Sequence, residues 1–264
     1  MSLTISGIFG LEGKVALVTG GGRGLGKSIA EGFLAAGAAK VYIASRDIEA
    51  LEATAKEISP EGKCVAIQAN LAHLEGVKAL AAEIASREEK LHILVNNSGT
   101  AWGAPMKDFP ESGWDKTFTL NLKSPFYLTG ELRELLSNGG THEDPSRVIN
   151  IGSIAGEVAT SLGAYPYGLS KGAIHQLTQM QALEFADDHI TSNAIAPGRF
   201  PSKMTEYVMD DKERYAKEVE GIPLKRWGRD EDIAGTALFL AGASGSFITG
   251  AIIPVDGGSR LKRG

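Results

Sequence analysis

The chain has 264 residues, of which 43% are hydrophobic and 22% charged, with a formal net charge of -5. That length accommodates one large domain with an extensive core, and the acidic balance argues against a nucleic-acid surface. A lone cysteine, Cys64, precludes an intramolecular disulfide and fits a reducing compartment, while no run approaches the roughly 18 apolar residues of a membrane span.

Short apolar runs alternate with helical stretches along the chain. Residues 15–19 form a buried-strand pattern, followed by a helix over 25–36 that ends at Gly37, a plausible C-cap. A second strand at 41–44 precedes a helix over about 48–58, closed by Pro60. A strand at 64–68, a helix over 74–87 and a strand at 92–95 follow. Next comes a long helix over about 112–137, which Pro125 should kink or interrupt. Residues 138–145 are a polar turn cluster predicted to be an exposed loop. The remaining elements are a strand at 147–151, a helix over 165–185, a strand at 190–196, a helix over 230–241 and a strand at 251–255. Between 198 and 228 the chain is irregular and polar, with a helical segment around 205–219. Strands without polar alternation, separated by helices, predict a parallel sheet covered on both faces. The expected fold is a three-layer, doubly wound α/β domain with seven parallel strands, spanning 1–264 without a linker.

Directly after the first strand stands Thr19-Gly20-Gly21-Gly22-Arg23-Gly24-Leu25-Gly26, leading into a helix. Glycines in that context let the backbone approach a pyrophosphate that the helix N-terminus attracts. The end of the second strand reports on the adenosine ribose, where an NAD site usually presents an acid. Here it carries Ser45 and Arg46, which suit a 2′-phosphate, and Arg23 could add a second positive charge. Asp47 is the competing ribose acceptor, but it is better placed to N-cap the next helix. The expected cofactor is NADP(H). Coenzyme selectivity tests this: Arg46→Ala should lose the preference for NADPH over NADH, and an unchanged preference would refute the assignment.

Tyr167 and Lys171 lie four residues apart on a helical face, with Ser153 fourteen residues before the tyrosine at a strand end. A phenol held beside an ammonium is expected to have a lowered pKa and to serve as a proton donor or acceptor near neutral pH.

With these motifs in order, the chain resembles the short-chain dehydrogenase/reductases of the single-domain, Rossmann-fold type, from about residue 12 to 260. The shared features are the glycine turn, Asn96-Asn97-Ser98-Gly99, Asn121 in Leu120-Asn121-Leu122-Lys123, Ser153, Tyr167 with Lys171, Pro197-Gly198, and Val255-Asp256-Gly257-Gly258. The resemblance implies that Tyr167 exchanges a proton with the substrate oxygen and Ser153 polarises that oxygen. Lys171 would bind the nicotinamide ribose, and Asn121 would hold a water linking Lys171 to solvent. It also implies cofactor contacts at Gly20, Arg23, Gly24, Leu25 and Gly26 in the turn, with Asn70 and Leu71 beside the adenine. Asn97 would line the adenosine-ribose side of the groove, with Ser98 and Gly99 beside the cofactor, and Pro197, Gly198, Phe200 and Ser202 the nicotinamide side. Ser98 stands where the family usually has alanine, and Asn70 where it has aspartate; the Asn70 amide oxygen can still accept a hydrogen bond.

Segments around Trp102, Pro197 and Trp227 most resemble the 3-oxoacyl-thioester reductases of the rhamnolipid-biosynthesis branch. That resemblance implies NADPH-dependent reduction of a 3-oxoacyl group on acyl carrier protein or coenzyme A, with another ketone or alcohol (a quinone, steroid or polyol) as the alternative. A cofactor-binding regulator without turnover is a remote third reading, which the intact catalytic residues oppose. Trp102, Tyr165 and Met204 are candidate pocket residues, and residues 205–221 a candidate lid. An acidic carrier would need a local basic patch, for which Lys203, Lys225, Arg226 and Arg229 are candidates. The five histidines show no ligand spacing, so no catalytic metal is expected. The N-terminus has no basic-then-apolar signal pattern, so a cytoplasmic, homo-oligomeric protein (dimer or tetramer, by resemblance) is expected, with no nucleic-acid or membrane partner.

Overall fold

Strand β1, Val15–Thr19, is buried along its whole length, which is why it carries no polar alternation. In the computed structural model, which describes residues 3–159, 163–203 and 205–261, it is an interior strand of a seven-stranded sheet. The other strands are β2 (Lys40–Ser45), β3 (Cys64–Gln68), β4 (Ile93–Asn96), β5 (Ser146–Ile151), β6 (Ile190–Pro197) and β7 (Ile252–Val255). Their order is β3-β2-β1-β4-β5-β6-β7, and every pairing is parallel. The order reverses direction between β1 and β4, so the crevice at their carboxyl ends is the topological switch point.

The helices are α1 (Ile5–Phe9), α2 (Gly24–Ala35), α3 (Ile48–Ile58), α4 (Leu74–Arg87), α5 (Glu111–Phe118), α6 (Ser124–Glu131), α7 (Arg133–Gly139), α8 (Tyr165–Glu184), α9 (Glu206–Met209), α10 (Lys212–Glu220) and α11 (Asp230–Ala241). Successive strand residues point to opposite faces, and two cores result. On one face Ala16, Val18, Val41, Ile43 and Ile149 pack with Ile29 and Phe33 of α2 and Ile233 and Leu240 of α11. On the other, Leu17, Tyr42, Leu94 and Val148 pack with Val77, Leu80 and Ile84 of α4, Leu128 of α6 and Leu136 of α7. Each such side chain contributes about 1.5–3 kcal/mol by burial. Cys64 belongs to the first core, and burial pushes its thiol up to about 11; it is a packing residue.

Three elements differ from the sequence expectation. The single helix over 112–137 is instead α5, a π-helical turn at Thr119–Lys123, then α6 and α7. Pro125 has no N–H to offer the carbonyl one turn back, and the Ser124 N–H reaches Thr119 O instead. The 205–219 segment is the two helices α9 and α10, and α1 precedes the first strand. Of the predicted loop over 138–145, the first two residues end α7, and the rest has a structural task at the base of the sheet. Its Asp144 pairs with Lys14 and with the buried Arg147, whose Nη2 lies 3.0 Å from Asp144 Oδ1. Burial alone would raise the Asp144 carboxyl; the Lys14 and Arg147 cations bring it below the usual range.

Candidate active site

Because the sheet is wholly parallel, the ends of β1, β2, β4, β5 and β6 open on one crevice. The glycine turn leaves β1 there and leads into α2, whose N-terminus no side chain caps. Gly26 has to be glycine, since a Cβ would lie 2.4 Å from Gly20 O and 2.5 Å from Asn97 Nδ2. Gly24 takes a left-handed φ of 51°, and a Cβ there would meet nothing within 4 Å. The turn is thus tight underneath and open above, with uncapped helix N–H groups, which fits a pyrophosphate.

Asn97 serves this turn differently from the expectation. Its Nδ2 donates to Thr19 O at 2.8 Å and Gly20 O at 3.2 Å, and its N–H donates to Thr19 Oγ1 at 3.0 Å. The amide therefore clamps the turn to β4 instead of reaching outward to a ribose. Ser98 donates its N–H to the same Thr19 hydroxyl. At the end of β2, Arg46 is exposed, as is Arg23 in the turn, and Asp47 caps α3 by accepting from the Ala50 N–H at 3.2 Å. The acid is committed to the helix and the cations are accessible, an arrangement that fits a 2′-phosphate. Asn70 is exposed past β3, with Oδ1 accepting from the Ala72 N–H at 3.2 Å. The Leu71 side chain belongs to the core, leaving only its backbone for the adenine side.

β5 delivers Ser153, which is 7% exposed and accepts at Oγ from the Ala155 N–H at 3.1 Å. Tyr167 and Lys171 occupy the first turns of α8, and Lys171 Nζ lies 5.9 Å from the centre of the Tyr167 ring. That ammonium donates to Ile151 O at 2.6 Å, and burial brings it down to about 8. The tyrosine departs from the expectation of a lowered pKa. Burial pushes the phenol above its ordinary value, while the interaction with Ser153 and the charge of Arg199 pull it down. Lys171 directs its ammonium at the β5 carbonyl, and desolvation of the buried phenol outweighs the neighbouring groups that favour the phenolate.

Asn121 sits in the π turn and is 1% exposed. Its amide accepts from the Thr100 N–H at 2.8 Å and donates to Thr100 O at 2.9 Å and Ser170 Oγ at 3.0 Å. Ser170 in turn donates to Tyr167 O at 2.8 Å. The side chain thus braces the first turn of α8 and is not itself free to hold a water. A π-type widening at a functional residue is a recurrent association, although sequence periodicity does not reveal it.

Beyond β6, Gly198 packs on Asp256 and Phe200 is buried against Gly228. Ser202 is held in a turn by Thr205, whose Oγ1 accepts the Ser202 N–H at 2.9 Å. The candidate pocket residues stand apart in role. Trp102 packs on Gly113 of α5 with Lys116 Nζ 5.7 Å from its ring, and Tyr165 stacks edge-on to Phe109 at 6.3 Å. Met204 lies outside the described residues. Two of the four basic residues expected near the entrance are already engaged. Arg226 makes a forked pair with Asp232 at 2.6 and 3.0 Å, and Lys225 donates to Glu220 O at 2.7 Å. Among the described residues, no group of three His, Cys, Asp or Glu could hold a metal ion, and no helix is long and apolar enough to cross a membrane.

A family model described as enoyl-(acyl carrier protein) reductase matches residues 20–260. The chain belongs to the short-chain dehydrogenase/reductase family. Within this family of oxidoreductases, it is 47% identical to the rhamnolipids biosynthesis 3-oxoacyl-[acyl-carrier-protein] reductase of Pseudomonas aeruginosa, over 96% of this chain and 98% of that one. It is 36% identical to the 2-dehydro-3-deoxy-D-gluconate 5-dehydrogenase of Bacillus subtilis, covering 95% of this chain and 96% of that protein. Among solved structures of short-chain dehydrogenase/reductases, the Pseudomonas aeruginosa RhlG/NADP active-site complex superposes with a TM-score of 0.93 at 47% identity, covering 97% of this chain and 99% of that one. A gluconate 5-dehydrogenase from Burkholderia cenocepacia, in complex with NADP and tartrate, gives 0.90 at 31% identity, covering 98% and 100%.

Proposed function

We propose that this protein is an NADP(H)-dependent reductase that converts the carbonyl of a 3-oxoacyl thioester into a secondary alcohol. The observation that carries the reading is the convergence of Ser153, Tyr167 and Lys171 at the crevice between the glycine turn and the end of β6. NADPH, when bound, supplies the hydride. The chain supplies the proton and the geometry. The Tyr167 phenol donates its proton to the oxygen that becomes the alcohol, and the Ser153 hydroxyl orients that oxygen and stabilises its charge. Lys171, anchored by Ile151 O, presents an ammonium to the nicotinamide ribose and supports the phenolate left after proton transfer. Asn121, with its amide committed to bracing α8, is left its main-chain carbonyl to hold a water on the proton path. Arg23 and Arg46 select the 2′-phosphate.

The thioester assignment is supported by the 47% identical relative, whose printed activity is 3-oxoacyl-[acyl-carrier-protein] reduction. Residues 205–221 carry six acids against three bases, a poor face for an acidic carrier. With Lys225 and Arg226 engaged, Lys203 and Arg229 are the remaining cations for such a partner, so coenzyme A thioesters should be accepted as well as carrier-bound ones. A second reading, oxidation of a sugar acid, is favoured by the gluconate-type relatives. NADPH consumption across 3-oxoacyl thioesters, oxo-sugar acids, quinones and steroids separates the two. Good rates on an oxo-sugar acid with none on any 3-oxoacyl thioester would reject the first.

A cytoplasmic homo-oligomer is part of the same proposal. On α8, Leu169, Met180 and Leu183 are 55%, 59% and 84% exposed, at a spacing that places them on one face opposite Lys171. Phe126 of α6 is 54% exposed. A second copy would cover such apolar side chains. A Met180→Glu/Leu183→Glu double variant should elute as a smaller species in light-scattering chromatography while still binding NADPH. An unchanged assembly mass would reject this face as the contact.

A further inference from the structure

Arg199 is the first side chain after Pro197-Gly198, and the backbone around it is held on both sides. The Gly198 N–H donates to Val255 O at 2.9 Å, and a Cβ on Gly198 would lie 2.8 Å from Asp256 Cα. The Arg199 carbonyl accepts from the Gly228 N–H at 2.8 Å. The chain therefore leaves β6 in one direction, beside the end of β5 that carries Ser153. The guanidinium reaches α10, with Nε 2.9 Å from Glu218 Oε2. Among the described residues this is the only ion pair between residues 205–221 and the rest of the protein.

Little else attaches that segment. Helix α10 buries no side chain. The segment meets the body through a small apolar cluster of Val208, Val219, Ile222 and Trp227, separate from both cores of the sheet. Glu218 Oε2 is buried and makes no hydrogen bond, so its contact with Arg199 is purely electrostatic and has no substitute. Separating the two would leave a partly buried carboxylate without its counter-charge.

We propose that Arg199 is a positioning residue whose ion pair with Glu218 latches residues 205–221 over the catalytic end of the sheet and holds a permanent positive charge beside Tyr167. The latch rests on the fold alone; its kinetic consequences rest on the carbonyl-reductase reading. Ser153 from the end of β5 and the charge of Arg199 from the end of β6 both act on the phenol, and Lys171 lies one turn along α8 with its ammonium 5.9 Å from the ring centre. Lys171 is brought to about 8 by burial, whereas a guanidinium stays charged throughout the working range. The pull of Arg199 on the tyrosine is in the direction of the phenolate.

The test compares R199Q, R199K, E218Q and the R199Q/E218Q double variant. Deuterium uptake by the α10 amides, measured without substrate, should quicken in R199Q and E218Q and no further in the double variant. The KM for the carbonyl should rise roughly three- to tenfold in each single variant and not multiply in the double. In alcohol oxidation the tyrosinate is the base. The rising limb of kcat/KM against pH should therefore move to higher pH in R199Q, stay in place in R199K, and not move upward in E218Q. Unchanged exchange at α10, or multiplicative effects on KM, would overturn the latch. A pH limb that R199Q leaves in place would overturn the charge on Tyr167. Quickened exchange in a protein that turns over no carbonyl would keep the latch and reject the reductase reading instead. R199K keeps the charge and E218Q keeps the shape of a partly exposed side chain, so the comparison survives if R199Q folds poorly.

Discussion

Tyr167→Phe is expected to bind NADPH with little change and to lose roughly 10²–10⁴-fold in turnover, the usual contribution of a positioned general acid. The substitution removes one hydroxyl from a ring whose packing against Lys171 remains, so the fold has little to lose. The loss should appear in kcat, because the missing proton is needed only as charge develops on the substrate oxygen. Cofactor binding by fluorescence and turnover by NADPH consumption separate the two effects. Near-normal turnover would remove Tyr167 from its role.

Lys171→Met should produce an opposite pairing: a more stable protein with little activity. The Lys171 ammonium is fully buried, and its folded-state value of about 8 lies below the ordinary 10.5. The unfolded chain therefore holds this proton more readily, so stability rises as pH increases from 8 to 10.5, and below pH 8 the full cost is present. That cost is roughly 3 kcal/mol at pH 7. Methionine of similar length removes it but leaves Ile151 O without its partner, which returns about 1 kcal/mol. The net gain should raise the melting temperature of the cofactor-free protein by a few degrees at pH 7, and the difference should shrink toward pH 10. Turnover should fall at least a hundredfold, because the variant has no cation for the ribose or the phenolate. A lower melting temperature in the variant would mean that the Ile151 contact outweighs burial of the charge.

The sheet and the order of its motifs were legible because each depends on local pattern. Apolar runs of strand length, glycines after β1 and a Tyr–Lys pair one turn apart carry their chemistry in sequence spacing. What escaped depends on neighbours distant in sequence. Asn97 reads as a ribose contact until β4 is placed beside β1, where its amide meets the carbonyls of Thr19 and Gly20. The lowered tyrosine pKa followed from the Lys171 charge alone, whereas burial, which the spacing cannot report, dominates. The π turn at Asn121 was foreshadowed only by Pro125, which signals disruption but not its form. Lys225 and Arg226 looked available as docking cations because their partners, Glu220 O and Asp232, are selected by the folded chain. Arg199 carried no spacing signal at all, since its partner Glu218 lies nineteen residues on and meets it only once α10 folds back.

The central claim, proton transfer from Tyr167 to a 3-oxoacyl carbonyl as NADPH is oxidised, is tested most directly by single-turnover mixing. The wild-type protein loaded with NADPH is mixed with a 3-oxoacyl coenzyme A thioester, and nicotinamide oxidation is followed alongside Tyr167→Phe. The account predicts rapid oxidation with one 3-hydroxyacyl product per cofactor in the wild type, and oxidation slowed at least a hundredfold in the variant. Equal rates in the two proteins, or no oxidation by a wild-type protein that demonstrably holds NADPH, would contradict it.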